Sequence, residues 1–234
     1  MLFYIRMKKV LSFLIIVTIL FSAQKGKEDE KKALLIGGAA IILALPLDRT
    51  VRTLATEKES AFADGIAEFS NYFGDGRVLV PFIALTAIDG LILSDKKLVR
   101  TSLEAGESFI IAGTIANAIK TITMRKRPSV SESPFSFSWG NRSFPSGHVT
   151  VASAVSTIFA REYNCKTFYL IPVLTSFARI RKNAHWLSDT IAGFTLGYVV
   201  GSYVVRKKGF FAIYPTMDGF VITIGIGGKN ASSF

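Results

Sequence analysis

The sequence predicts an all-α protein, a membrane or membrane-associated bundle of about six helices with a C-terminal β-hairpin. Two observations carry this. Half of the 234 residues are hydrophobic and only 19% are charged. The apolar residues also gather into six segments rich in Ala, Leu, Ile and Gly, at 33–47, 78–93, 102–123, 149–160, 167–180 and 187–205. Such lengths suit helices better than strands, and several fall short of the ~20 residues that cross a bilayer. Charge inside two of them, at Asp89, Glu104 and Glu107, points to helices buried partly in protein and partly in lipid.

Residues 1–23 read as a signal peptide or N-terminal anchor. Arg6, Lys8 and Lys9 precede an apolar run of 12 residues, Val10 to Phe21, and Ser22-Ala23 follows; that is the length of a signal core. Residues 24–76 hold one apolar helix and an acidic loop. The loop 48–76 carries six acids against three bases. Residues 77–205 hold the remaining helices. Residues 206–234 form a basic end followed by Phe, Ile and Val runs around Pro215 and Asp218-Gly219, the pattern of a hairpin.

Loop charge suggests an orientation. The loops 94–101, 161–166 and 206–208 are each net positive, which places them in the cytoplasm. The loops 124–148 and 181–186 then face outward, with an inner membrane of bacterial type as the location. A periplasmic, membrane-associated bundle is the alternative. A cleaved signal and a full crossing by 33–47 are incompatible with this orientation, so one of the two is absent.

Composition excludes several classes. Disorder is incompatible with this apolar content and 28 aromatic residues. One cysteine, Cys165, rules out an internal disulfide and a Cys-rich zinc site. The net charge of +11 is spent on membrane orientation, anionic lipid and an anionic substrate rather than on nucleic acid.

Three polar clusters lie at the edges of apolar segments. The first runs from Lys120 to Arg127-Pro128. Seven residues are two helical turns, while Pro128 biases Arg127 out of helix. Two cations aimed at one point favour an anion; membrane-edge snorkelling is the ordinary alternative. The second is Pro145-Ser146-Gly147-His148. Ser146 is placed to cap a helix whose first amides, those of Ser146, Gly147 and His148, form an anion site, and His148 adds a titratable group. The third holds Arg179, His185 and Asp189. Residues four apart on a helix share a face, so the Asp189 carboxylate can hold the His185 imidazole and bare its other nitrogen. Taken alone, a plain helix cap explains the second equally well, and a structural His–Asp pair explains the third better.

Together the clusters resemble the type 2 phosphatidic acid phosphatase superfamily, which includes bacterial acid phosphatases and vanadium haloperoxidases. Lys120 and Arg127-Pro128, Pro145-Ser146-Gly147-His148, and Arg179, His185 and Asp189 match its three blocks in order and spacing over residues 77–205. Ala178 stands where the family usually has Ser. The resemblance implies a phosphatase acting on a phosphate monoester or diphosphate without metal or cofactor. His185 is its nucleophile, Asp189 its orienting carboxylate and His148 its proton donor and acceptor. Lys120, Arg127, Ser146, Gly147 and Arg179 bind phosphate. The apolar bundle points to a lipid substrate: phosphatidic acid, phosphatidylglycerol phosphate, a polyprenyl diphosphate or a lipid A phosphate. Trp139, Arg142 and the phenylalanines at 135, 137 and 144 are candidates for its entrance. A lipid phosphotransferase, a vanadium-dependent haloperoxidase and a non-enzymatic membrane protein with a relic site are the alternatives.

Overall fold

The computed structural model describes residues 28–57, 60–207, 211–216 and 219–224. The signal segment 1–23 lies outside them. Each of the six apolar segments falls on a helix: α1 (Glu28–Ala44, extended by a 3-10 turn Leu45–Leu47), α4 (Gly76–Ile92), α5 (Lys96–Thr123), α6 (Gly147–Glu162), α7 (Leu170–Arg181) and α8 (Leu187–Lys207). Strands β1 (Phe211–Thr216) and β2 (Gly219–Ile224) pair antiparallel, with Phe211 opposite Ile224.

The acidic stretch 48–76, expected as a loop, is largely helical. It holds α2 (Asp48–Thr56), α3 (Ala61–Asn71) and a 3-10 turn, Tyr72–Gly74. Ser60 caps α3 by accepting the Ala63 N–H at 3.3 Å. The acids of α3 are the reason for the difference. They read as solvated, but Asp64 binds Arg181 at 2.8 Å and Glu68 binds Lys182, so they dock α3 on the basic end of α7.

The core is α6 against α8. All twelve residues from Val149 to Ala160 are buried, as expected of a helix that is surrounded by others. Gly193, Gly197 and Gly201 form a stripe along α8. A Cβ on them would stand 2.6 Å from Ser146 O, 2.3 Å from Thr150 O and 2.7 Å from Ala154 O. Glycine thus lets two backbones touch, as small residues do between membrane helices. The first of these contacts sets the Pro-Ser-Gly-His segment directly on α8.

Contacts separate the two ends of the bundle. At one, Arg100 bonds Glu162, Lys97 lies 4.5 Å from the Tyr163 ring and Arg206 bonds Glu30 at 2.8 Å, so the basic loops gather there. The three polar clusters meet at the other. Among the described residues one stretch, Glu30–Thr56, is long and apolar enough to cross a membrane by length and composition. Its Leu35, Ile36, Ile42 and Leu43 are exposed, as are Leu85, Ile88 and Ile92 on α4. Exposed apolar surface on this scale marks an interaction site, here suited to lipid.

Candidate active site

The site forms where α5 and α7 end and α4, α6 and α8 begin. α5 stops at Thr123 because Met124 turns left-handed, at φ 52°. Pro128 then holds Arg127 extended, at φ −73° and ψ 154°. Lys120 and Arg127 therefore do not share a helical face, contrary to the two-turn spacing argument. They approach one another across the turn. The positive charges of Lys120, Arg127 and Arg179 all act on His148, so the three predicted cations do converge.

Their commitments differ. Arg127 is exposed and makes no side-chain hydrogen bond among the described residues. Arg179 donates from Nη1 to Asn71 Oδ1 at 2.6 Å, while its buried Nε has no partner. Lys120 donates to the carbonyls of Pro145 at 2.5 Å, Arg142 at 3.0 Å and Ser143 at 3.3 Å. Its stem passes over Gly147, whose Cβ position is 3.5 Å from Lys120 Cε. Lys120 thus ties down the segment before α6 as well as adding charge.

The helix start at Gly147 departs from expectation in two ways. The Ser146 amide is not free: it donates to Asp189 O at 2.9 Å. The Ser146 hydroxyl does not cap α6 either, and its buried Oγ lacks a partner. The physical reason is the close approach at Gly193, which brings the Ser146 backbone within bonding range of α8. The amides of Gly147 and His148 lie in the first turn of the helix, whose leading N–H groups have no intrahelical acceptor and suit an anion. His148 lies against the backbone of Gly74, where a Cβ would stand 2.6 Å from it. The neighbouring Asp75, held at about 2 by its bonds to Arg77, adds a negative charge acting on His148.

Asp189 organises the third cluster. As the third residue of α8 it reaches back to the Trp186 N–H at 2.9 Å, closing the helix start as a capping-box carboxylate does. The same Oδ2 accepts the Ser143 hydroxyl at 2.5 Å, and Oδ1 accepts Arg125 Nη1 at 2.6 Å. His185 Nδ1 is 3.5 Å from Oδ2. That is contact rather than a firm hydrogen bond, and Nδ1 is buried without another partner. The Arg179 carbonyl fixes the His185 backbone, accepting its N–H at 3.2 Å. Burial pushes the His185 imidazole down to about 4, against the opposing pull of Asp189 and with help from Lys120 and Arg179. At neutral pH it is an uncharged base with a free lone pair.

Four contributors escaped the sequence reading: Arg125, Ser143, Asn71 and Asp48. Arg125 was one of three cations in Arg125-Lys126-Arg127, and only burial, at 3% exposure, sets it apart. Of the entrance candidates, Trp139 and Phe135 are exposed and Arg142 bonds Asn117 and Thr121, but Phe144 is buried in the core. It follows Ser143 into the space under α5 and α8.

Among the described residues no group of three His, Cys, Asp or Glu is placed to hold a metal. The family model of the PAP2 superfamily matches residues 102–211. A lipid A 1-phosphatase of Porphyromonas gingivalis is 27% identical over 171 residues, 70% of this chain. The chain spans about a third (35%) of the length of that relative. Two solved structures share the fold. One is the PAP2-type phosphatidylglycerolphosphate phosphatase of Bacillus subtilis, with TM-score 0.55 and 21% identity over 74% of this chain and 90% of that one. The other is LpxE of Aquifex aeolicus, with TM-score 0.52 and 20% identity over 68% of this chain and 95% of that one.

Proposed function

We propose that the protein is a membrane lipid phosphatase that hydrolyses a phosphate monoester or diphosphate through a phosphohistidine. The observation that carries this is the placement of a buried His185 against Asp189 beside three converging cations. His185 Nε2 attacks phosphorus as the bond to the leaving alcohol breaks. His148, protonated once the bound phosphate neutralises the cations around it, gives that alcohol its proton. Asp189 balances the positive imidazole while phosphorus is attached. Water then attacks, gives its proton to His148, and the P–N bond breaks to release phosphate. Arg127, Arg179 and the Gly147 and His148 amides bind the phosphoryl oxygens and stabilise charge in the transition state. Lys120 adds charge and holds the segment that presents those amides.

The exposed apolar belt and the named relatives support a lipid substrate, with a lipid A phosphate, phosphatidylglycerol phosphate, phosphatidic acid and a polyprenyl diphosphate as the set to test. Loop charge supports an inner-membrane location with the site on the periplasmic side. Detergent-purified protein, assayed for phosphate release from each lipid with EDTA present, tests the reading. Release in wild type that is absent from His185→Ala supports it. EDTA-sensitive release, or full activity in that variant, overturns it.

A further inference from the structure

Asp48 lies far from the other site residues in sequence and outside the segment that the family model matches. It begins α2, just past the Leu45-Pro46-Leu47 turn that ends α1, and it is fully buried. Both its oxygens are engaged with site elements. Oδ1 accepts the Ser188 N–H at 2.8 Å; Oδ2 accepts the Ser188 hydroxyl at 2.6 Å and Arg125 Nη2 at 2.6 Å. Arg125 uses its other arm on Asp189 at 2.6 Å and on Ser188 Oγ at 2.7 Å, and its Nε on the Pro134 carbonyl at 2.8 Å.

The local reason is a missing cap. The residue before α8 is Trp186, which has no side-chain acceptor, so the Ser188 amide in the first turn needs one from elsewhere. Asp48 supplies it from another helix, at the positive end of the α8 dipole. The charge balance then matters. Two buried carboxylates, Asp48 and Asp189, share one guanidinium. Arg125 alone with Asp189 would neutralise it and weaken its hold on His185. With Asp48 taking half of the fork, negative charge is left over to face the imidazole.

We propose that Asp48 and Arg125 are a buried positioning pair for the His185–Asp189 dyad, which makes the α1–α2 unit a working part of the site. The pair sets the orientation and the residual charge of Asp189, and through it the tautomer and charge tolerance of His185. The charged groups facing His185 are Asp189 on α8, Lys120 on α5 and Arg179 on α7; Asp48 and Arg125 act through the first of these. The proposal rests on the reading of His185 as the nucleophile.

The test uses the full chain in detergent with Asp48→Asn, which keeps the shape and removes the charge, and Arg125→Lys, which keeps the charge and removes the fork. Two readouts are taken. The first is turnover of the best lipid substrate. A roughly 10- to 100-fold fall in kcat with KM little changed is expected, the scale on which outer partners of a site group act. The second is independent of turnover: the imidazole nitrogen resonances of labelled histidine near neutral pH. The chain has two histidines, and His148→Gln assigns them. Wild-type His185 is expected as the Nδ1–H tautomer, with Asp48→Asn and Arg125→Lys each shifting it toward Nε2–H. A wild type that hydrolyses nothing but shows this shift removes the phosphatase reading and leaves the positioning pair standing. Folded variants with wild-type tautomer and kcat overturn the pair. Failure of both variants to fold overturns it too, since it assigns the two residues to stability alone.

Discussion

The Ser146 amide donates to the Asp189 carbonyl at 2.9 Å, a backbone bond that joins the start of α6 to the first turn of α8. It locks together two segments 43 residues apart in the chain (189 minus 146). The Ser143 hydroxyl repeats the connection on the Asp189 side chain at 2.5 Å. His148 and His185, the proton donor and nucleophile of the proposed reaction, are therefore held on one frame, and the expectations below rest on it.

Ser143→Ala removes a donor from Asp189 Oδ2 without touching the imidazole. One hydrogen bond to a charged group contributes about 1.5–3 kcal/mol, and part of that is orientation of the carboxylate. The expected outcome is a fall in kcat greater than any rise in KM. Steady-state kinetics on the preferred lipid check it, with Asp189→Asn as the more severe comparison.

Asn71→Ala frees the Arg179 fork from its 2.6 Å bond. Arg179 is then less well oriented for a phosphoryl group, while its charge is kept. KM for the substrate, and the inhibition constant for inorganic phosphate, are expected to rise several-fold with kcat nearly retained. Equal losses in kcat would show that Asn71 acts on the transition state instead.

Acid should stop the reaction through His185. Its pKa is pushed down to about 4, chiefly by burial, so the nucleophile stays uncharged from neutral pH down to about that value and is lost below it. The linkage has a definite sign. The unfolded imidazole titrates near its ordinary ~6.5, so between that value and about 4 the unfolded chain binds more protons. Stability from this group is complete above the unfolded value and declines as pH falls through that window. A pH profile of single-turnover rates and thermal unfolding across the same range measure the two effects separately.

Gly197→Ala should damage the fold far from any reacting atom. Its Cβ would lie 2.3 Å from Thr150 O and 2.7 Å from Ala154 N, and backbone cannot yield as a flexible side chain does. A loss of about 1–3 kcal/mol, typical of overpacking, is expected. Gly38→Ala is the contrast, because nothing lies within 4 Å of its Cβ position. There the gain in helix propensity should raise stability by about 0.5–1 kcal/mol. Thermal unfolding in detergent distinguishes them.

The chain itself determined the six apolar helices, the three polar clusters and the family resemblance, because these depend on residue type and short spacing. Lys120, Arg127, His148, Arg179, His185 and Asp189 could all be proposed as site residues from it for that reason. It misjudged 48–76, since the acids of α3 are docking contacts only when the basic end of α7 lies opposite. It likewise offered the Ser146 amide to an anion, which the contact between α6 and Gly193 of α8 gives to Asp189 instead. Asp48 and Arg125 were invisible as a pair. They are 77 residues apart, and an Asp at a helix start or an Arg in a basic run is ordinary until both are buried. Burial is a property of packed helices: it turns a common surface pair into two carboxylates sharing one guanidinium behind His185.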